Sequence, residues 1–387
     1  MRFPEYSGEW QQATFGKCCN PLEYGMNAPA KEYDGKNKYI RITDIDEDTC
    51  TYKSDDIVSP NAVLEDKYRV KKNDILFART GASTGKAYLY DEQDGLMYYA
   101  GFLIRGNVKK DYNSKFVFLQ TQTQKYKKWI DIMSIRSGQP GINSQEYSSF
   151  MFMLPPSRAE QDKISELFTL LDERIATQIR IIDKLKSLIS GITQRTSKHS
   201  SVKMIMLSDI LIERNEKNAS LFPVYSVSVS EGVVNQIEYL GRSFAATNTT
   251  HYNVAHWGDI IYTKSPTGDF PFGIVKRSSV KTNVAVSPLY GVYQPISNDV
   301  AVYLHFYFCS PLNAQNYLHK LIQKGAKNTI NITNQRFLEN SVPIPDNKAL
   351  TTFVKVINAV SAKLESESRL LNALQKQKAY LMQEMFI

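Results

Sequence analysis

One stretch of this chain occurs twice, and that constrains the fold more than any local motif. Pro155-Pro156-Ser157-Arg158-Ala159-Glu160 stops an extended segment and opens a helix. Proline disfavours helix in the residue before it, and Ser157 followed by Glu160 has the spacing of a capping box. Ile164, Leu167, Phe168, Leu171, Ile175, Ile179, Ile182, Leu185, Leu188 and Ile192 then recur every three or four residues. That spacing is one apolar stripe on a long helix. The second occurrence is Pro343-Ile344-Pro345-Asp346, followed by Phe353, Val356, Ile357, Val360, Leu364, Leu371, Leu374 and Leu381. The offset holds throughout: 345 − 156, 353 − 164, 371 − 182 and 381 − 192 all equal 189. A repeat this long implies two copies of one structural unit.

Residues 1–154 read as a mixed globular domain. Strand-like runs (Lys38 to Ile42, Asp74 to Ala78, Phe102 to Ile104) alternate with Gly, Asn and Asp clusters, and Ser114 to Ile132 reads as a helix. The polar run from Thr196 to Ser201 reads as a tether. Residues 202–343 then restate the first domain. Asn73-Asp74-Ile75-Leu76-Phe77-Ala78-Arg79 is answered by Gly258-Asp259-Ile260-Ile261-Tyr262-Thr263-Lys264, Gly85-Lys86 by Gly273-Ile274, and Ile142-Asn143 by Ile330-Asn331. The expected organisation is therefore α+β: a domain at 1–154, a helical spacer and linker at 155–201, a second domain at 202–343 and a C-terminal helix at 344–387. The two stripes must be kept from water, and each is the other's best partner. Antiparallel packing of two rods of about 36 residues, each near 54 Å at ~1.5 Å per residue, makes a caliper for a long ligand read at two points.

Length and charge agree with that picture. A chain of 387 residues exceeds what one core usually serves. The formal charge of +8 suggests a polyanionic partner. Residues 1–154 nevertheless carry 21 Lys+Arg against 20 Asp+Glu, and residues 198–343 carry 13 against 9, so a nucleic-acid surface would be a one-sided patch. Cys18, Cys19, Cys50 and Cys309 suit neither a disulfide framework nor a zinc site. No apolar run approaches the ~20 residues of a membrane helix, and Met1-Arg2-Phe3-Pro4-Glu5 resembles no signal peptide, so the expected location is the cytoplasm.

The arrangement resembles the specificity (S) subunit of type I restriction–modification systems. The resemblance covers essentially the whole chain. It is carried by Arg2-Phe3-Pro4-Glu5 with Gly8-Glu9-Trp10, by Asn73-Asp74-Ile75-Leu76 with Arg79-Thr80-Gly81 and Gly85-Lys86, and by Ile142-Asn143 before Pro155-Pro156, Glu160-Gln161 and Ile164, each element being repeated. The second copy departs in two places: Asp346-Asn347-Lys348-Ala349 lacks the Glu-Gln pair, and Pro266 stands at the Gly81 turn. The resemblance implies two pseudo-symmetric target-recognition domains separated by two long antiparallel coiled-coil-like helices. It also implies a non-catalytic subunit that binds a bipartite double-stranded DNA target, one half per domain. Its implied partners are two adenine-methyltransferase (M) subunits, which hold S-adenosylmethionine, and restriction (R) subunits, which use ATP and Mg. Changing helix length should then change the gap between half-sites.

The chemistry-bearing residues fit that role. Gly81-Ala82-Ser83-Thr84-Gly85-Lys86 has three residues between its glycines, not the four of a nucleotide loop, and Ala87 stands where Ser or Thr would hold magnesium. Two readings stay open for it: a strand-to-strand turn, or a loop binding DNA phosphate through backbone N–H groups and Lys86. Asn20-Pro21-Leu22-Glu23-Tyr24 resembles the tetrad of adenine methyltransferases only by chance, since no glycine-rich turn for S-adenosylmethionine accompanies it. His199, His251, His256, His305 and His319 lack partners at ligand spacing. No cofactor, metal or catalytic group is therefore expected in this chain. Base reading calls for Arg, Lys, Asn, Gln, Ser or Thr at loop tips. In the first domain these are Arg79, Thr80, Ser83, Thr84, Lys86, Arg136, Ser137 and Gln139, with Arg41 and Thr43 on a strand. In the second they are Lys264, Ser265, Thr267, Lys276, Arg277, Lys324, Lys327 and Asn328. Apolar residues beyond one seam (Leu188, Ile189 and Ile192; Tyr380, Met382, Met385 and Phe386) offer a docking face for M subunits. The rival to the whole reading is a scaffold whose repeated domains bind protein and whose helices dimerise.

Overall fold

The structure is a computed structural model describing residues 2–136, 138–241, 248–324 and 330–386. It divides into two units: Met1–Gln178 with Leu370–Ile387, and Ile179–Arg369. Each unit thus holds one globular part and a portion of both long helices.

The first unit is built on a four-stranded antiparallel sheet in the spatial order Glu23–Tyr24, Leu103–Asn107, Asp74–Ala78, Ala87–Leu89. Asp74–Ala78 is buried along its whole length, as the apolar run Ile75–Ala78 requires of a central strand. Asn73 enters it with φ 70, a left-handed conformation that asparagine tolerates. The Asp74 carboxylate, 1% exposed, accepts the Lys71 N–H at 2.7 Å and the Asn107 amide at 2.7 Å, with Arg105 at 3.9 Å. Burial still pushes its pKa up, because these partners offset the desolvation only in part.

The second unit repeats the sheet in the same order, as Leu211–Glu213, Gly291–Pro295, Ile260–Tyr262, Val275–Arg277. Gly258 takes the left-handed place of Asn73 at φ 89. Asp259 accepts the His256 N–H at 2.8 Å, as Asp74 accepts that of Lys71. Its second partner differs. Arg214 holds Asp259 through two hydrogen bonds, at 2.7 and 3.1 Å.

An aromatic pair centres each core. Phe77 stacks on Tyr147 at 5.0 Å, and Tyr262 stacks on Phe337 at 4.7 Å. Asn143 and Thr333 cap the short helices Ser144–Ser149 and Asn334–Phe337 that bring Tyr147 and Phe337 into place. A two-stranded ribbon then leads into each long helix. Gln11–Thr14 pairs with Met151–Leu154 ahead of Arg158–Ser197, and Lys203–Met206 pairs with Ser341–Ile344 ahead of Asn347–Met385.

The helix starts differ in chemistry. Glu160 is 0% exposed, and its carboxylate turns away from Ser157. It takes Arg2 through two bonds of 2.7 Å and the Trp10 indole N–H at 3.1 Å. The N-terminal segment is thereby fastened to the helix by a buried charge, a stronger use of that carboxylate than a capping box. In the second copy Asp346 takes the place of Ser157, its carboxylate accepting the Ala349 N–H at 2.8 Å.

Packing of the long helices is visible within each unit. In the first, Phe168 meets Phe386 at 5.7 Å and Asp172 meets Lys378 at 2.7 Å, so the two segments run antiparallel. In the second, Ile189 and Ile192 pack against the core that contains Leu350, Phe353, Val354 and Ile357. These contacts correct the docking face expected from sequence. Met382 and Met385 are core residues at 8% and 5% exposure, and Phe386 packs on Trp10 and Phe116. Ile189 and Ile192 are partly buried against a core, whereas Leu188 and Tyr380 remain exposed. The apolar ends of both stripes are consumed by the domains themselves.

Three local expectations also shift. Ser114 to Ile132 is two helices, Ser114–Leu119 and Gln124–Met133. Between them Thr123 gives its hydroxyl to the Gln120 carbonyl and caps the next turn at Tyr126. The strand from Lys38 ends at Ile40, where Arg41 and Asp44 close a capped turn. The strand near Phe102 begins one residue later, at Leu103. Among the described residues no helix is long and apolar enough to cross a membrane.

His305 lies on the helix Asn298–Phe308 against strand Val275–Arg277, and its Nδ1 accepts the Arg277 N–H at 3.2 Å. Burial, with the charges of Lys276 and Arg277, pushes its pKa down to about 3. The unfolded chain binds this proton near pH 6.5 and the folded one does not. The contribution is therefore full above about pH 6.5 and is lost as pH falls toward 3. Between pH 7.5 and 5, urea denaturation should record a loss of about 1–2 kcal/mol from this group, and His305→Gln should flatten that slope. Asp259→Ala, which removes both hydrogen bonds of the Arg214 guanidinium to a carboxylate, should destabilise by roughly 3 kcal/mol in the same assay.

Candidate nucleic-acid interface

The connection between strands Asp74–Ala78 and Ala87–Leu89 holds most of the first domain's candidate residues. It is a tight turn whose base is tied by hydroxyls. The Tyr147 hydroxyl donates to the Ala78 carbonyl at 2.7 Å and accepts the Gly85 N–H at 3.2 Å. The Tyr126 hydroxyl donates to the Gly85 carbonyl at 3.1 Å. Gly85 sits at φ +93, and a Cβ there would lie 2.7 Å from Ile130 Cγ2, so only glycine fits.

The turn is tied by its own backbone. The N–H groups of Gly81, Thr84, Gly85 and Lys86 donate to the carbonyls of Pro140, Gly81, Ala78 and Ser83. These four are spent on the protein, as the backbone of a strand-to-strand turn requires. Lys86 pairs with Glu47 at 3.2 Å.

A second segment joins it. Gly81 N–H donates to the Pro140 carbonyl, Ile142 N–H donates to the Arg79 carbonyl, and Thr80 forms a bridge with Gly141. The exposed Gln139 amide lies so close to Gly81 that a Cβ there would be 2.7 Å from its Nε2. Arg79, Thr80, Ser83, Thr84 and Gln139 are therefore one cluster, drawn from segments 60 residues apart (139 − 79).

Arg79 is the most ordered of them. Its Nε donates to the Gly101 carbonyl at 2.9 Å, and its guanidinium lies 5.1 Å from the Tyr24 ring and 5.8 Å from the Phe102 ring. Tyr24 and Phe102 are 44% and 57% exposed. Sequence reasoning missed both, because Phe102 looked like the first residue of an apolar strand and Tyr24 like part of a chance motif. The legible signal was a large aromatic immediately after Gly101, where a turn exposes it.

The remaining candidates of this domain have structural partners. Arg136 holds both oxygens of Glu146, at 2.6 and 2.7 Å, and so braces the cap of helix Ser144–Ser149. Arg41 grips Asp44 and Asp56, while Thr43 donates to Asp44 at 3.1 Å. Ser137 lies outside the described residues.

In the second unit Lys264, Ser265 and Thr267 occupy the equivalent loop, between Ile260–Tyr262 and Val275–Arg277. Lys264 has φ 61, and burial lowers its pKa. Ser265 and Thr267 are exposed, and Thr267 exchanges two backbone hydrogen bonds with Phe270, closing a wider loop than its counterpart. The base is again tied by hydroxyls: Tyr262 donates to the Phe272 carbonyl at 2.7 Å, and Thr263 accepts the Ile274 N–H at 3.0 Å. Lys276 and Arg277 do not join this cluster. Their strand leads away from the loop, since Tyr262 pairs with Val275 but Ile260 with Arg277. Lys276 is 4% exposed, with its ammonium 3.3 Å from Cys309 Sγ, so it cannot reach a base or phosphate. Arg277 lies over Trp257 at 4.5 Å and donates to Asn298 at 2.7 Å. Lys324 falls in the strand Gln323–Lys324, paired with Ile330–Asn331. Lys327 and Asn328 lie outside the described residues.

Known proteins share both sequence and fold with this chain. Residues 25–187 match the family model of the type I restriction modification DNA specificity domain. The S subunit of the type I restriction–modification system from M. genitalium has the same fold, with a TM-score of 0.64 at 14% identity, covering 100% of this chain and 99% of that one. A chain from a structure addressing complex assembly and conformational transition of the type I system gives a TM-score of 0.54 at 12% identity, covering 98% and 97%.

Tyr147→Phe removes the hydroxyl that ties both ends of the Arg79 loop. It should destabilise by about 1–2 kcal/mol. Amide exchange at Gly85 should quicken more than exchange in the central strand, which hydrogen-exchange measurements would resolve.

Proposed function

We propose that this chain is a specificity subunit of a type I restriction–modification system, and that each recognition domain reads one half of a bipartite DNA target through the loop end of its four-stranded sheet. The observation that carries this is the doubled sheet with a hydroxyl-tied loop at the same end of each copy, Arg79 to Gly85 in one and Lys264 to Gly273 in the other. Rigid loop bases suit base reading, because a side chain that is already placed loses little freedom on binding.

The recognition domains are residues 1–154 and 202–343, and the segments 155–201 and 344–387 are the helical parts that assemble the complex. Double-stranded DNA, two M subunits and R subunits are the partners. The chain supplies sequence recognition and no catalytic group. Adenine methylation belongs to the M subunits with S-adenosylmethionine, and cleavage to the R subunits with ATP and Mg. Arg79, Thr80, Ser83, Thr84 and Gln139 in the first domain, with Lys264, Ser265 and Thr267 in the second, are the base-facing set.

Co-expression with an M subunit, followed by genome-wide mapping of N6-methyladenine, tests this directly. A bipartite motif with a fixed gap is expected. Exchanging residues 1–154 for those of another S subunit should change one half of the motif and leave the other intact. An assembled complex that methylates nothing, or a swap that alters both halves, would overturn the proposal.

A further inference from the structure

Among the described residues the terminal amino groups of Arg79 carry no hydrogen bond, although its Nε is committed to the Gly101 carbonyl and its plane is held near two aromatic rings. An arginine is normally a floppy side chain whose fork is ordered only when the ligand arrives. Here the fork is ordered beforehand, and the edge left open is the one bearing two parallel donors. That edge matches two acceptors side by side, the O6 and N7 of guanine in the major groove. A phosphate would not need the ring contacts, since a flexible lysine serves it as well.

Phe102 is the second half of the device. Its carbonyl accepts the Arg79 N–H at 3.0 Å, which places the two residues across from each other at the end of the sheet. Its ring is 57% exposed in a folded domain whose other phenylalanines are buried or packed against the core. Beside a guanine reader, an exposed apolar ring has one matching feature in the groove, the C5-methyl of thymine.

We infer that Arg79 and Phe102 read adjacent bases, Arg79 taking a guanine by its amino edge and Phe102 the methyl group of the neighbouring thymine. Tyr24 acts as a positioning residue that holds the guanidinium plane. This inference rests on the DNA-reading function proposed above and adds its chemistry: the half-site read by residues 1–154 contains a guanine next to a thymine.

The test uses the full chain assembled with its M subunits and duplexes carrying the mapped target. Replacing that thymine by uracil removes only the methyl group. Wild-type affinity should drop about fourfold, the worth of one apolar carbon returned to water. Phe102→Ala should bind thymine and uracil duplexes alike, and Phe102→Leu should restore part of the preference. Arg79→Lys, which keeps the charge but loses the fork, should lose roughly tenfold or more in discrimination at the guanine. Unchanged selectivity for the other half-site in each variant verifies that the protein is folded. A half-site without a guanine–thymine neighbour, or a Phe102→Ala complex that still prefers thymine, overturns this inference and leaves the DNA-reading function standing. Absence of salt-sensitive DNA binding by the assembled complex overturns that function, and this inference with it.

Discussion

The Tyr147 hydroxyl is the contact on which the Arg79 loop depends. It sits in the core with its ring against Phe77, yet its oxygen reaches the Ala78 carbonyl and the Gly85 N–H, the two points where the loop leaves and rejoins the sheet. The Gly85 N–H also donates to the Ala78 carbonyl at 3.0 Å, so the buried hydroxyl is satisfied as both donor and acceptor by joining a pair that already closes the loop. The same bonds that keep the core dry therefore fix the loop's shape. Arg79 follows Ala78 directly, so its backbone inherits that rigidity before any ligand is present.

The second unit reaches the same end with the hydroxyl moved to the other ring. Phe77 and Tyr147 become Tyr262 and Phe337, and the hydroxyl of Tyr262 now ties the loop at the Phe272 carbonyl. One hydroxyl per stacked pair suffices, and it matters little which ring carries it. The buried aspartates show the same freedom. Asp74 and Asp259 both accept the N–H three residues earlier, but one is completed by Asn107 and Arg105 and the other by Arg214. What the repeat preserves is the requirement that each buried group be answered, and the partner is drawn from whichever strand passes nearby.

The long helices are tied to the domains as firmly as to each other. Glu160 is buried against Arg2 and Trp10 near the start of one helix, and Met385 and Phe386 enter the same domain's core at the end of the other. An apolar stripe read as a free face is thus partly core. Leu188 and Tyr380 are left exposed by the folded domains.

By itself the sequence determined the doubling, the α+β class, the two long helices and the central strand at Asp74, because a constant offset and apolar periodicity are properties of the chain order alone. It also marked Arg79 to Lys86 and Lys264 to Thr267 as loop positions, since glycine and polar clusters between apolar runs have a local cause. Only the tertiary structure decided which of the candidates lie together. Gln139 reaches the Arg79 loop across 60 residues (139 − 79). Arg136 and Arg41 are held by acidic neighbours, and Lys276 is shut inside at the middle of its strand. Tyr24 and Phe102 became visible only once strand register brought them beside Arg79. Charge and loop position are written residue by residue, but exposure and partnership depend on what the rest of the chain places alongside.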